Sequence, residues 1–216
     1  MLSTLSIGIQ DIDREFIGGG IPVNSFVEFT APLDSQSSLF LNVISEQRPT
    51  LFISTIRTVD TIEREFESQN RDVDDDTTFV KVDPYSDNVI DDIVSEIDSF
   101  LHSIDEKFNI IIHPIDVFNL TDDEFSISLL NNISDSLSHV ENDYLVIFSG
   151  GDGNSIGRDI ISEWCDVVME IYFKLNGSER ESYLFISKNR FGGALTEGMK
   201  IQLIDNVSID TSRDIA

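Results

Sequence analysis

The chain has 216 residues, enough for one domain with a substantial core and short for two. Forty acidic against fourteen basic residues give a formal charge of −26, while a hydrophobic fraction of 40% is close to that of ordinary globular proteins. This composition excludes a disordered acidic chain and does not indicate a nucleic-acid partner. The acidic surplus is spread along the whole chain, with Asp outnumbering Glu and only five lysines, which is the pattern of adaptation to molar salt. No positively charged, apolar leader opens the sequence and no apolar run approaches the roughly 18 residues of a membrane span, so a cytoplasmic protein without membrane contact is expected. The N-x-[ST] matches at Asn119, Asn132, Asn176 and Asn206 are then incidental. Cys165 is the lone cysteine, which rules out an intrachain disulfide; following Trp164 at the start of an apolar strand, it reads as a buried structural thiol.

In chain order, Asp11 or Asp13 starts one helical turn, and Gly18 to Gly20 end it and lead through Ile21-Pro22 into a strand. Residues 26–41, FVEFTAPLDSQSSLFL, read as an apolar strand, a short polar loop and a helix over Ser38 to Gln47 that is apolar nearly all round and therefore buried. Leu51 to Ile56 is a continuous apolar strand, Val59 to Gln69 an amphipathic helix, Arg71 to Asp76 a solvated acidic loop, and Thr77 to Val82 a strand. From Asn88 to Ile104, eight apolar residues including Val89, Ile93, Ile97 and Phe100 share one face of a helix. Phe108 to Ile112 is a short buried strand, and Leu129 to Val140 carries the next helical stripe. Tyr144 to Phe148 is a strand ending in Ser149-Gly150-Gly151-Asp152-Gly153; Ile156 to Trp164 is a short helix. Asn176-Gly177 turns the strand Val167 to Leu175 into Tyr183 to Lys188, and Met199 to Ile204 with Val207 to Ile209 add edge strands. The fold class that follows is α/β: a mainly parallel sheet flanked by helices, with antiparallel strands at the C-terminal edge, in one domain over residues 1–216.

The loop after the first long strand has the layout of a phosphate-cradling loop. In G-x-x-x-x-G-K-[ST], glycines let backbone N–H groups close around phosphates, the lysine reaches the β- and γ-phosphates, and the hydroxyl holds magnesium. The eight corresponding positions here are Ala31, Pro32, Leu33, Asp34, Ser35, Gln36, Ser37 and Ser38, of which only Ser38 keeps its role. Both glycines are replaced, Ser37 stands for the lysine, and Asp34 puts a carboxylate where an anion would sit.

With these elements in order, the chain resembles the RecA superfamily and, within it, the KaiC-like group as found in haloarchaea. The resemblance rests on Gly8-Ile9, Ile12-Asp13, Gly18-Gly19-Gly20-Ile21-Pro22 and Ser25 before the loop, and on Ser187-Lys188-Asn189-Arg190-Phe191-Gly192-Gly193, similar to a K-x-R-x-G-G turn. The ending from Val207 to Ala216 is also similar, so nearly the whole chain is covered. The resemblance implies a RecA-like ATPase fold with degenerate Walker A and Walker B motifs. Ser54-Thr55-Ile56-Arg57 has no water-activating carboxylate, and the Walker B aspartate position falls at His113, whose neutral imidazole is a poor ligand for magnesium. Asp116, three residues on, is the alternative oxygen ligand; His102 and His139 lie on separate helices, so no metal site is expected. No G-x-S-x-G elbow accompanies the serines.

Lacking these groups, phosphoryl transfer loses positioning and charge stabilisation together, and no catalytic residues are assigned. The expectation is a catalytically inactive KaiC-like protein that serves as a regulatory or interaction partner in a halophilic archaeon, without ATP or magnesium as cofactor. The alternative is an ATP-binding KaiC-like protein whose lysine-less loop uses the N–H groups of residues 33 to 38 and Ser38, with weak or no hydrolysis. The resemblance further implies a homo- or hetero-oligomer with KaiC-like relatives, in which Lys188 and Arg190 reach a neighbour's phosphate in trans.

The charge generates a first prediction. At molar salt the Debye length falls to about 3 Å, which screens self-repulsion among the forty carboxylates. The thermal midpoint should therefore rise as KCl goes from dilute to molar, and a flat or falling midpoint by circular dichroism would remove the halophilic reading.

Overall fold

A computed structural model describes residues 3–68, 76–118, 123–151, 156–177, 179–192, 197–203 and 207–209. The acidic loop at 71–75, Asp152-Gly153, Gly193, the end of the chain from 210, and the matches at Asn119 and Asn206 lie outside them.

Nine strands form one sheet: β3 (Ser25–Thr30), β4 (Thr50–Ser54), β5 (Thr77–Lys81), β6 (Phe108–His113), β7 (Tyr144–Gly150), β8 (Val167–Asn176), β9 (Glu179–Asn189), β10 (Met199–Leu203) and β11 (Val207–Ile209), in the order β11-β10-β9-β8-β3-β7-β6-β4-β5. The strands from β8 through β3 to β5 run parallel, and β8 to β11 pair antiparallel, as the pattern of apolar runs and the Asn-Gly turn implied. A two-stranded ribbon, β1 (Thr4–Leu5) with β2 (Ile21–Pro22), stands apart from it. The helices are α1 (Gln10–Asp13), α2 (Ser38–Ser45), α3 (Val59–Ser68), α4 (Val89–Leu101), α5 (Asp123–Leu137) and α6 (Ile156–Trp164).

Two apolar layers sandwich the sheet. On one face α2 seats Phe40 on Phe29 of β3, ring centroids 4.5 Å apart and nearly parallel, and α3 packs Phe66 edge-on against Phe52 and Phe79. On the other, the stripe Val89, Ile93, Ile97 and Phe100 of α4 meets Leu129, Leu130 and Ile133 of α5 over Ile110 and Ile112. Each such side chain contributes about 1.5–3 kcal/mol by leaving water, and fully buried parallel strands need both layers. Cys165 is buried in the second layer, as its neighbours suggested, and burial pushes its thiol well above the ordinary range.

Some local expectations are corrected. Neither Asp11 nor Asp13 starts α1, which begins at Gln10; Asp13 is buried and accepts from the Ser6 hydroxyl at 2.5 Å and the Ile7 amide at 2.9 Å, fixing the N-terminal segment instead. Helix α2 stops at Ser45 and α4 at Leu101, and β4 ends at Ser54, because Ser54 Oγ turns the chain by accepting from the Arg57 amide and donating to the Arg57 carbonyl.

The central strand carries a charge that the apolar pattern hides. Glu28 on β3, 1% exposed, accepts from Arg158 Nε of α6 at 2.9 Å and from the Ser162 hydroxyl. Burial pushes the Glu28 carboxyl up; the Ser162 hydroxyl and the Arg158 guanidinium pull it back. Removing one partner of a buried pair strands the other charge in a medium that solvates it poorly. Arg158→Ala should therefore cost about 3–5 kcal/mol by denaturant unfolding, and a loss within that of an ordinary surface substitution would contradict the pairing.

Candidate functional site

A cleft of about 430 Å3 opens at the carboxyl ends of β3, β4, β6 and β7, lined among others by Ala31, Leu33, Asp34, Ser37, Ser38, Arg57, Glu65, His113 and Gly151. In open α/β sheets this is the end at which ligands bind. A larger open hollow of about 710 Å3 lies at the opposite end, among Gln47, Glu106, Lys107 and Asp143, away from every residue the sequence singled out.

The structure brings the loop residues and His113 together. After β3, Ala31 donates to the Gly150 carbonyl at 3.1 Å, and Ser35 donates to the Pro32 carbonyl at 2.9 Å, closing a tight turn. Gln36 then takes a left-handed conformation, φ 52°, and Ser37 leads into α2 without its side chain capping the helix. Among the described residues no protein group accepts from the amides of Gln36, Ser37 or Ser38. Ser35 is buried with its hydroxyl unpartnered, while Leu33 is 96% exposed at the rim. Asp34 occupies the position expected of it, but its charge is answered: Arg180 of β9 grips it through both nitrogens at 2.6 and 2.7 Å. That fork holds the Asp34 carboxyl below the usual range. The same guanidinium lies 3.2 Å from the Phe173 ring centroid, which pins it from the other side.

His113 closes the floor. Its ring stands edge-on to Phe52, and Nδ1 lies 3.2 Å from Ser149 Oγ. Burial, reinforced by the Arg57 charge, lowers its pKa to about 4, so at neutral pH it offers an uncharged imidazole where a carboxylate would bind a cation's water shell. The segment after β4 lacks an acidic residue, but α3 supplies Glu65 from outside it, and Glu65 pairs with Arg57. Asp116 is held within the chain: it accepts from the Gly151 amide and from Arg158 Nη1. Gly150 has to be glycine for this, since a Cβ there would overlap the Asp116 carboxylate. Among the described residues no three His, Cys, Asp or Glu side chains converge to hold a metal ion, and no helix is long and apolar enough to cross a membrane.

The model of a family of unknown function, DUF7125, matches residues 4–216. The chain belongs to that family. No curated protein matches it. In fold, this DUF7125 member is similar to the KaiC-like protein of the hyperthermophilic archaeon Pyrococcus horikoshii OT3, with a TM-score of 0.78 over 97% of this chain and 100% of that one at 17% identity. The α/β sheet with its antiparallel edge is thus the fold of a KaiC-like protein.

The two basic residues of the K-x-R turn sit away from the cleft. In this DUF7125 chain Lys188 Nζ donates to the carbonyls of Ser162 and Glu163 at 2.8 and 2.6 Å, and Arg190 donates to the Glu163 carbonyl at 2.5 Å. They grip the last turn of α6, where carbonyls lack intrahelical partners and the helix dipole favours a cation. Each keeps N–H donors beyond these bonds. Sequence reasoning missed Arg180, Arg57, Glu65 and Arg158; Arg180 and Arg158 act through partners distant in sequence, and Arg57 meets Glu65 across the turn into α3.

Because the folded chain disfavours protonated His113, its share of stability is complete above the ordinary pKa of 6.5 and is lost as pH falls from there to about 4. Titrating the imidazole by NMR should give a midpoint near 4; a midpoint at 6.5 or above would show that the floor of the cleft is wet or ionic.

Proposed function

We propose that this chain is a RecA/KaiC-like ATPase-fold protein that has given up phosphoryl transfer and works as a regulatory or interaction partner in the cytoplasm of a halophilic archaeon. The carrying observation is that, among the described residues, each charge lining the cleft already has a partner within the chain, Asp34 with Arg180 and Arg57 with Glu65, while Asp116 beside it pairs with Arg158. Phosphoryl transfer needs cations and a metal-binding carboxylate aimed at the phosphates before they arrive. A cleft that spends its charges internally and places a neutral imidazole at the metal position supplies neither. The partners this implies are other copies of the chain or KaiC-like relatives.

A second reading has one observation behind it. The amides of Gln36, Ser37 and Ser38 lie at the start of α2 with no protein acceptor among the described residues. A helix start with open N–H groups attracts anions, so a lysine-less loop would hold the phosphates of ATP weakly and without hydrolysis. Calorimetry with ATP and magnesium in molar KCl separates the two. The leading reading expects no dissociation constant of about millimolar or tighter, a free energy near −4 kcal/mol. A constant of micromolar order, weakened by Ser38→Ala, would replace it with the second.

A further inference from the structure

Among the described residues, helices cover most of the antiparallel half of the sheet on one face only. On the side of α1 and α2, Met169, Ile171, Leu184, Ile186 and Ile201 are buried. On the other side α6 buries Val168 and ends at the grip of Lys188 and Arg190. Beyond that point the sheet carries a row of partly buried rings, with Gly198 against the Tyr172 hydroxyl. Tyr172 of β8 and Tyr183 of β9 stack across the strands at 5.6 Å and 18°, and half-buried Phe185 follows two residues along. Lys174 lies over both tyrosines, 5.5 and 4.6 Å from their centroids. Glu181 accepts from Lys200 at 2.8 Å and from the Tyr183 hydroxyl at 2.9 Å, and Glu170 accepts from Ser187 at 2.8 Å.

With Glu179, which shares the face of Glu181, three glutamates stand against two lysines, a nearly balanced patch on a chain of charge −26. With Lys188 at its margin, it gathers three of the five lysines in the sequence. We propose that this face is the contact surface for a second copy of the chain, the two sheets packing face to face about a two-fold axis. A two-fold contact presents a surface to itself, so the surface must complement itself. A wholly acidic face repels its own copy, whereas this one offers each copy's lysines to the other's glutamates. Aromatic rings are the side chains enriched at the centres of such contacts, and open sheets stack in this manner at about 10 Å. A nucleic acid is the poorer occupant, because Glu170 and Glu181 would face its phosphates and the whole chain would repel it.

The proposal draws nothing from the cleft, so ATP binding by a dimer would overturn only the reading of the cleft, and a monomer that binds no ATP only this one. The test is light scattering behind size exclusion on the full chain in molar KCl over a concentration series. The expected result is twice the chain mass, with Phe185→Asp weakening association by about tenfold or more and Leu33→Asp, at the cleft rim, changing nothing. If circular dichroism finds Phe185→Asp unfolded, Lys174→Glu at an exposed position replaces it, with the same expectation. A single-chain mass at every concentration, a dimer indifferent to the face variants, or one dissociated by Leu33→Asp would overturn the proposal. So would dissociation of the dimer by a single-stranded oligonucleotide that binds the wild type and not the Phe185 variant.

Discussion

The guanidinium of Arg158 is the point on which four parts of the molecule depend. It lies between Glu28 in the centre of the sheet and Asp116 after β6; Asp116 in turn holds the lip after β7, and Arg158 itself belongs to the first turn of α6. A lone Arg158 in the layer between β3 and α6 would be costly, and so would buried Glu28 without the cation. The arrangement therefore persists only as a set, and it fixes where α6 begins. The far end of α6 is held by Lys188 and Arg190 on its last carbonyls. Helix α6 is thus clamped at both ends by basic side chains, which are scarce in this sequence.

The same economy governs the cleft. A nucleotide site keeps unpaired donors and a metal-binding carboxylate in reserve for its ligand, at a cost to the empty protein. Here the charges are paired inside the chain: Asp34 is forked by Arg180, Glu65 meets one nitrogen of Arg57, and Asp116 accepts from Arg158 and the Gly151 amide. His113 settles into an apolar corner beside Phe52, where its neutral form is the stable one. The backbone course of a RecA-like loop survives because the sheet and the packing of Phe40 on Phe29 impose it, independently of what the loop side chains do.

Elements whose cause is local were legible in the sequence. The apolar runs at Phe108 and Tyr144 announced buried strands, the stripe from Val89 to Phe100 a helix, and Asn176-Gly177 a hairpin, since each signal sits within the segment it shapes. The loop of residues 31 to 38 and His113 could be placed at one end of the sheet for the same reason. The pairings that define the site could not. Asp34 meets Arg180 across 146 residues, and Glu28 meets Arg158 across 130, and nothing in the neighbourhood of either residue encodes its partner. Asp13 shows the converse error: its position suggested a helix start, and tertiary burial beside Ser6 overrode it. The acceptors of Lys188 and Arg190 were hidden too, because they are backbone carbonyls, which side-chain identity does not reveal.

The central claim is that the cleft keeps the shape of a nucleotide site while its charges are spent within the chain. Backbone amide NMR reads it most directly, by following the signals of Gln36, Ser37, Ser38 and Gly151 as ATP with magnesium is added in molar KCl. The account predicts that these four signals stay in place throughout the titration. Saturating shifts confined to them would contradict it, because they would show phosphate seated on the loop in spite of its internal pairing.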